Sequence, residues 1–231
     1  MRLDKYLAST GVCSRSEASA AIRKGRVTVN GATVKSASFA VNEDSDEVTL
    51  LGQRLTYRRF TYIMLNKPAG VVSATEDGDT TVIDLLPPEL QRLGLFPCGR
   101  LDKNTTGLML LTNDGQLSHK LLAPKSHVSK TYAFECKFPL SEADISALEA
   151  GVDIGGYVTA PCKVALTKEK SGNITICEGK YHQIKLMMQA VHNQITSLER
   201  ISFANLIKDE SLEVGSWRYL TSEETEGLKN Q

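Results

Sequence analysis

Residues 99–115 read GRLDKNTTGLMLLTNDG. Asp102 stands two residues after Arg100 in a short polar segment. An apolar run from Leu108 to Leu111 follows, with Gly107 before it and an Asn-Asp-Gly turn behind it, which is typical of a short buried strand. A carboxylate in a loop pinned against a buried strand is held still, which is a good way to position a reactive group.

The composition indicates a folded protein without a membrane segment. The chain has 231 residues, 41% of them hydrophobic, which is enough for one large domain or for a small and a medium one. No apolar run is long enough to cross a bilayer, and the start MRLDK lacks the apolar core of a signal peptide. We therefore expect a cytoplasmic protein with no membrane partner.

Cysteine and histidine usage gives no indication of a metal site. The five cysteines are scattered and form no Cys-x-x-Cys pair, and the four histidines lack ligand spacing with acids or cysteines. We expect reduced, mostly buried thiols and no bound metal.

Charge is unevenly distributed although 27 basic and 27 acidic residues balance overall. Residues 1–59 hold ten Lys/Arg against six Asp/Glu, a net charge of +4, while the remainder holds seventeen against twenty-one, a net charge of −4. This asymmetry predicts a basic module, residues 1–59, joined to a near-neutral or acidic body, residues 60–231. Thr56–Arg59 is the expected linker, too short for much independence between the two.

The basic module carries signals for two helices followed by a hairpin. Leu3, Tyr6 and Leu7 recur at helical spacing, and residues 14–17 form a capping box that opens a second helix. Asn30-Gly31 between two short apolar stretches is the strongest short hairpin signal.

Basic side chains cluster around these elements. Arg23 and Lys24 at a helix end could serve only to complement its dipole, at about 0.3–1 kcal/mol each, but that does not account for a module that is basic as a whole. We therefore expect phosphate contacts from six side chains of this module: Arg2, Lys5, Arg15, Arg23, Lys24 and Arg26.

Residues 99–115 closely resemble the signature loop of the RsuA-type pseudouridine synthases, which combines Gly-Arg-Leu-Asp, a threonine, Gly-Leu and a Leu-Thr-Asn-Asp-Gly end. Three more stretches match the family: NKPAG at 66–70, KTY at 130–132 and EGKYHQIKLMM at 178–188. The order of elements in residues 1–59 resembles the small RNA-binding module, first known from a ribosomal protein, that precedes the catalytic domain in this family.

The expected fold is α+β. It comprises a small α/β RNA-binding domain, residues 1–59, and a catalytic domain, residues 60–231, built on a mixed, mostly antiparallel sheet. Many short strands separated by turn residues argue against a doubly wound parallel sheet.

The resemblance also implies a set of site residues. Asp102 is the catalytic residue, Lys185 pairs with it, Tyr132 stacks on the target base, and the expected substrate contacts are Arg100, Ile184, Lys67, His182 and Lys180. Three roles fit such an aspartate: attack on the sugar carbon, addition to the base, or removal of a sugar proton. The family commonly has arginine at the positions of Lys180 and Leu186. Lysine keeps the positive charge at 180, whereas leucine at 186 removes one.

Read without the resemblance, several of these residues have plainer roles. Tyr132 alternates with Phe134, Cys136 and Phe138 on one strand face, and such a tyrosine is usually core. Lys67 reads as a solvated turn residue. Lys185 beside a buried helix face reads as a side chain that snorkels to solvent.

The function implied is isomerisation of a uridine to pseudouridine without a cofactor. The Tyr-His-Gln sequence at 181–183 most resembles family members that act on small-subunit ribosomal RNA, so the expected partner is that RNA within an assembly intermediate, bound by a monomer. The alternatives are a synthase for large-subunit RNA, a non-enzymatic ribosome-associated RNA-binding protein, and a hydrolase with Asp102 as base and His119 or His182 as acid.

Overall fold

The structure is a computed structural model that describes all 231 residues and divides into two compact units. The first comprises Met1–Thr61 and Leu86–Leu95, and the second comprises Tyr62–Leu85 and Phe96–Gln231. The arrangement differs from the single expected break after residue 59, because residues 86–95 group with the first unit. No helix has both the length and the apolar character needed to span a bilayer.

The first unit has two helices, a four-stranded antiparallel sheet and a short returning helix. Its elements are α1 (Leu3–Ser9), α2 (Arg15–Arg23), β1 (Val27–Val29), β2 (Ala32–Thr33), β3 (Val48–Leu50), β4 (Gln53–Arg54) and α3 (Pro88–Gln91), with strand order β2-β1-β3-β4. Both halves of the predicted capping box at Ser14 and Glu17 are present. Asn30 and Gly31 both have positive φ, which a tight two-residue hairpin requires.

Gly11 explains how α3 packs in the first unit. Its φ is +81°, and a Cβ at this position would lie 2.1 Å from the carbonyl oxygen of Glu89. The Gly11 carbonyl also accepts a hydrogen bond from Arg92. Only glycine permits this approach, because any side chain would displace α3.

The second unit is built on nine strands with helices packed against them. Its elements are β5 (Tyr62–Lys67), β6 (Phe96–Pro97), β7 (Thr106–Thr112), α4 (Gly115–Leu122), β8 (Lys130–Cys136), α5 (Glu142–Ala150), β9 (Lys163–Lys168), β10 (Ser171–Ile176), α6 (Gln183–Ala190), β11 (Ile195–Phe203), β12 (Leu206–Ile207), β13 (Trp217–Tyr219) and α7 (Ser222–Lys229). A 3-10 turn, Pro124–Ser126, follows α4.

The sheet of the second unit is mixed and mostly antiparallel. Its strand order is β13-β5-β7-β11-β8-β10-β9, with β6 beside β7 and β12 beside β11. Only β7 and β11 pair in parallel. The predicted α+β class and sheet type are therefore confirmed.

Strand burial follows the sequence pattern with one exception. Every residue of β5 is buried, as are Leu108 to Leu111 of β7. On β8, Tyr132, Phe134 and Cys136 are buried as expected. The prediction was wrong for Phe138, which is 51% exposed, because β8 ends at Cys136 and the chain turns away from the sheet.

Gly107 is required where β7 begins. Its φ is +94°, and a Cβ would lie 2.4 Å from the carbonyl oxygen of Arg200 on the neighbouring β11. We expect Gly107→Ala to lower the stability of the protein by at least about 1–3 kcal/mol, the usual cost of a strained residue at positive φ. Thermal unfolding followed by circular dichroism measures the change.

Gly115→Ala is the matched control, because Gly115 begins α4 and a Cβ there meets no atom within 4 Å. It should leave stability unchanged or raise it by up to about 1 kcal/mol. Equal melting temperatures for the two variants would contradict the role assigned to Gly107.

Candidate active site

An open pocket lies in the second unit. Seven of the eight predicted catalytic and substrate residues line it, and Lys67 does not. The lining residues are Arg100, Leu101, Asp102, Thr105, Tyr132, Ile176, Gly179, Lys180, His182, Gln183, Ile184, Lys185 and Leu198. His119, the other candidate acid of the hydrolase alternative, is exposed on α4 and is not among them.

Asp102 and Lys185 form an ion pair in this pocket. Lys185 Nζ lies 2.5 Å from Asp102 Oδ2, and the two side chains are 31% and 26% exposed. His182 Nε2 lies 3.6 Å from the other carboxylate oxygen, beyond hydrogen-bonding distance. The carboxylate is thus held by one cation while one of its faces remains open to the pocket.

Lys67 is buried against the backbone of the loop that carries Asp102. Its ammonium donates to the carbonyl oxygens of Pro68 (3.0 Å), Asp102 (3.2 Å), Lys103 (3.0 Å) and Thr105 (2.9 Å), and the side chain is fully inaccessible. Its expected role in binding substrate was wrong, because the loop folds over the lysine and covers it. Lys67 shapes the loop instead.

Two further contacts hold the same loop. Ser73 Oγ accepts from the Leu101 N–H at 3.1 Å and donates to the Leu101 carbonyl at 2.8 Å. The Gly70 N–H donates to the Lys103 carbonyl. The loop backbone is therefore fixed from the segment after β5, and the Asp102 side chain projects from a rigid support.

A second hydrogen-bond network positions the start of α6. The side-chain amide of Gln183 donates to Glu178 at 2.6 Å, and its carbonyl accepts from the Lys180 N–H at 2.9 Å. Glu178 also accepts from the Tyr157 hydroxyl, and Lys180 Nζ lies 4.3 Å from the centre of the Tyr157 ring. His182 adopts a left-handed conformation immediately before the helix, so that Lys185 falls in the first helical turn.

Apolar walls from four elements complete the pocket. Tyr132 of β8 is 8% exposed, and Ile184 lies in the first turn of α6. Ile176 of β10 and Leu198 of β11 also line the pocket, although our sequence reasoning did not select them. The order of strands in the sheet decides which cavity these two side chains face.

In the first unit, the six predicted RNA-binding side chains are all exposed. Arg2 makes two hydrogen bonds of 3.0 Å to the buried Asp4, and Arg15 lies 3.4 Å from the same carboxylate. The hydrogen bond from Arg2 holds the pKa of Asp4 below its usual value. Asp4 was not among the predicted site residues, yet it orients two of the expected phosphate ligands.

Comparisons with known proteins give the family of the chain. Residues 61–190 match the family model described as RNA pseudouridylate synthase. The chain belongs to this family of RNA pseudouridylate synthases. Residues 1–48 match the S4 domain, which is the RNA-binding module expected from the sequence.

Two relatives match over nearly the whole length. The uncharacterized RNA pseudouridine synthase YtzG of Bacillus subtilis (strain 168) is 50% identical, with 97% of this chain and 96% of the relative covered. The ribosomal small subunit pseudouridine synthase A of Haemophilus influenzae (strain ATCC 51907 / DSM 11121 / KW20 / Rd) is 40% identical, with 99% of both chains covered.

A solved structure of a pseudouridylate synthase superimposes with a TM-score of 0.70 at 38% identity, covering 99% of both chains. As a member of this family, the protein is an isomerase. The predicted family and enzyme class are confirmed.

The pKa of Lys67 predicts how the rate of isomerisation depends on pH. Burial lowers it from 10.5 to about 8, against the opposing effect of the Asp102 carboxylate. The protonated amine is the form that donates to the loop carbonyls, so the rate of isomerisation should fall as the pH rises above about 8. Single-turnover rates from pH 7 to 9, with recovery on returning to pH 7, measure this.

Lys67→Arg is the control, because arginine stays charged throughout this range. If it folds, as judged by circular dichroism, its rate should not fall between pH 8 and 9. The same decline in both proteins would assign the alkaline limb to another group.

Proposed function

We propose that this protein converts a uridine of small-subunit ribosomal RNA to pseudouridine. The observation that carries the proposal is the Asp102–Lys185 ion pair at 2.5 Å, set in a pocket that Tyr132 and Ile184 also line. The Haemophilus influenzae relative named for the small ribosomal subunit supports this choice of RNA.

The reaction defines what the site must supply. The bond between ribose C1′ and uracil N1 breaks, the base turns, and C1′ bonds to C5. The hydrogen on C5 leaves as a proton and N1 gains one, so atoms and electrons balance without an oxidant or a cofactor. The target base must also leave the RNA stack, at a cost of roughly a few kcal/mol.

We assign the roles by position. Asp102 is the group that acts on the nucleoside, and Lys185 orients it and balances its charge. Tyr132 supplies an aromatic face for the flipped base, and Ile184 closes the pocket opposite. Arg100, with Lys180 and His182 at the same opening, contacts the flanking phosphates.

The first unit supplies affinity through the six basic side chains predicted to contact RNA. Contacts of this kind release counterions, which makes binding depend on salt. We propose that the protein acts in the cytoplasm as a monomer on a partly assembled small-subunit particle, since ribosomal proteins could then present one uridine among many.

The central test is Asp102→Asn. This change keeps the shape of the side chain but removes its charge, so isomerisation should fall by at least about 10³-fold, within the range for lost nucleophiles or bases. RNA affinity should change by less than about threefold, because phosphate contacts dominate binding. Carbodiimide-blocked reverse transcription of small-subunit RNA, free and partly assembled, locates the product.

The wild-type protein should give a single new stop that the variant lacks. A stop with Asp102→Asn would refute the site assignment. Stops on large-subunit RNA alone would show that the RNA has been assigned wrongly. No stop on either RNA would leave the non-enzymatic RNA-binding role.

A second test concerns the basic module. Replacing Arg23, Lys24 and Arg26 by alanine should weaken RNA binding and lower the slope of log Kd against log salt by about 2, since each phosphate contact contributes roughly 0.7–0.9. Filter binding at several salt concentrations measures the slope.

Arg54→Ala is the control, because Arg54 already pairs with Glu47 at 3.3 Å and lies on β4. The slope of log Kd against log salt for Arg54→Ala should match that of the wild type. An unchanged slope in the triple variant would place the RNA on another surface.

A further inference from the structure

One buried side-chain oxygen or nitrogen in the chain has no hydrogen-bond partner within the protein, and it is Thr105 Oγ1. Thr105 is 2% exposed, and it lines the pocket that contains Asp102. Burying an unpaired hydroxyl is unfavourable, so a partner from outside the protein accounts for its presence.

Three other buried threonine hydroxyls are hydrogen-bonded within the protein, as buried hydroxyls usually are. Thr81 Oγ1 donates to Asp84, Thr112 Oγ1 accepts from the Asp114 N–H, and Thr159 Oγ1 accepts from the Val152 N–H. The unpaired hydroxyl of Thr105 is therefore an exception confined to the pocket.

The backbone fixes Thr105 in place. Its N–H donates to the Asp102 carbonyl at 3.0 Å, and its carbonyl accepts from Lys67 at 2.9 Å. A β-branched side chain on such a backbone has few rotamers. The hydroxyl thus lies in the same rigid turn as the carboxylate of Asp102.

We propose that the Thr105 hydroxyl is a positioning contact for the target uridine, hydrogen-bonded to the polar edge of its base. The proposal rests on the function proposed above. A hydroxyl both donates and accepts, which suits the carbonyl and N–H groups of uracil. The depth of Thr105 favours the base over the ribose and phosphate, which stay near the exposed Arg100 and Lys180 at the pocket opening.

Thr105→Val tests the proposal, because valine keeps the branched shape and removes only the oxygen. The single-turnover rate of pseudouridine formation should fall roughly 10- to 100-fold, the effect expected when one polar contact to the base is lost. The melting temperature should stay the same or rise, since an unpaired hydroxyl has been removed. Thr105→Ser retains the hydroxyl and should restore most of the rate.

Thr112→Val is the matched control, because Thr112 is a buried threonine at the far end of β7, the strand that follows Thr105. It removes a hydroxyl that is paired inside the protein, so its melting temperature should fall while its single-turnover rate below that temperature stays at the wild-type value.

Two outcomes overturn the proposal. One is a single-turnover rate of Thr105→Val equal to that of the wild type, and the other is a melting temperature lowered as much as that of Thr112→Val.

A substrate with 2′-deoxyuridine at the target adds a binding test. If Thr105→Val weakens binding to normal RNA but not to this RNA, the contact is to the ribose and the assignment to the base fails. An inactive wild-type protein would instead refute the proposed function, a result that the same assay distinguishes.

Discussion

The candidate site depends on one buried ammonium group. Lys67, at the end of β5, donates to four backbone carbonyls, three of them in the loop Asp102–Thr105. Carbonyl groups that converge in this way repel one another unless a cation lies between them, and removing that cation would leave several acceptors unpaired. The conformation of the loop, and with it the direction of the Asp102 side chain, therefore follows from a lysine 35 residues earlier in the chain.

Sheet topology brings the rest of the pocket to this loop. The parallel pairing of β7 with β11 aligns Gly107 with Arg200, so the loop before β7 lies beside Leu198. The helix α6, which directly precedes β11, then brings Lys185 to Asp102. The close approach at Gly107, where no Cβ fits, makes the junction between loop and sheet tight, and this tightness limits how far the carboxylate can move.

Local elements were predictable because their causes are local. The capping box at Ser14 and the hairpin at Asn30-Gly31 rest on hydrogen bonds and dihedral preferences within four residues. The family resemblance supplied the site residues, and seven of eight line one pocket. Lys67 is the exception, because the loop Asp102–Thr105 covers it, and nothing within Asn-Lys-Pro-Ala-Gly indicates that a distant loop will do so.

The sequence by itself determined the α+β class, the basic N-terminal module and the candidacy of Asp102, since composition, periodicity and the motif at 99–115 are properties of short stretches. Only the tertiary structure decided that residues 86–95 join the first unit, that Lys67 is buried and that Thr105 carries an unpaired hydroxyl. The reason is physical: burial and hydrogen-bond pairing between distant residues depend on which strands are neighbours, and strand order is fixed by the packing of the whole sheet.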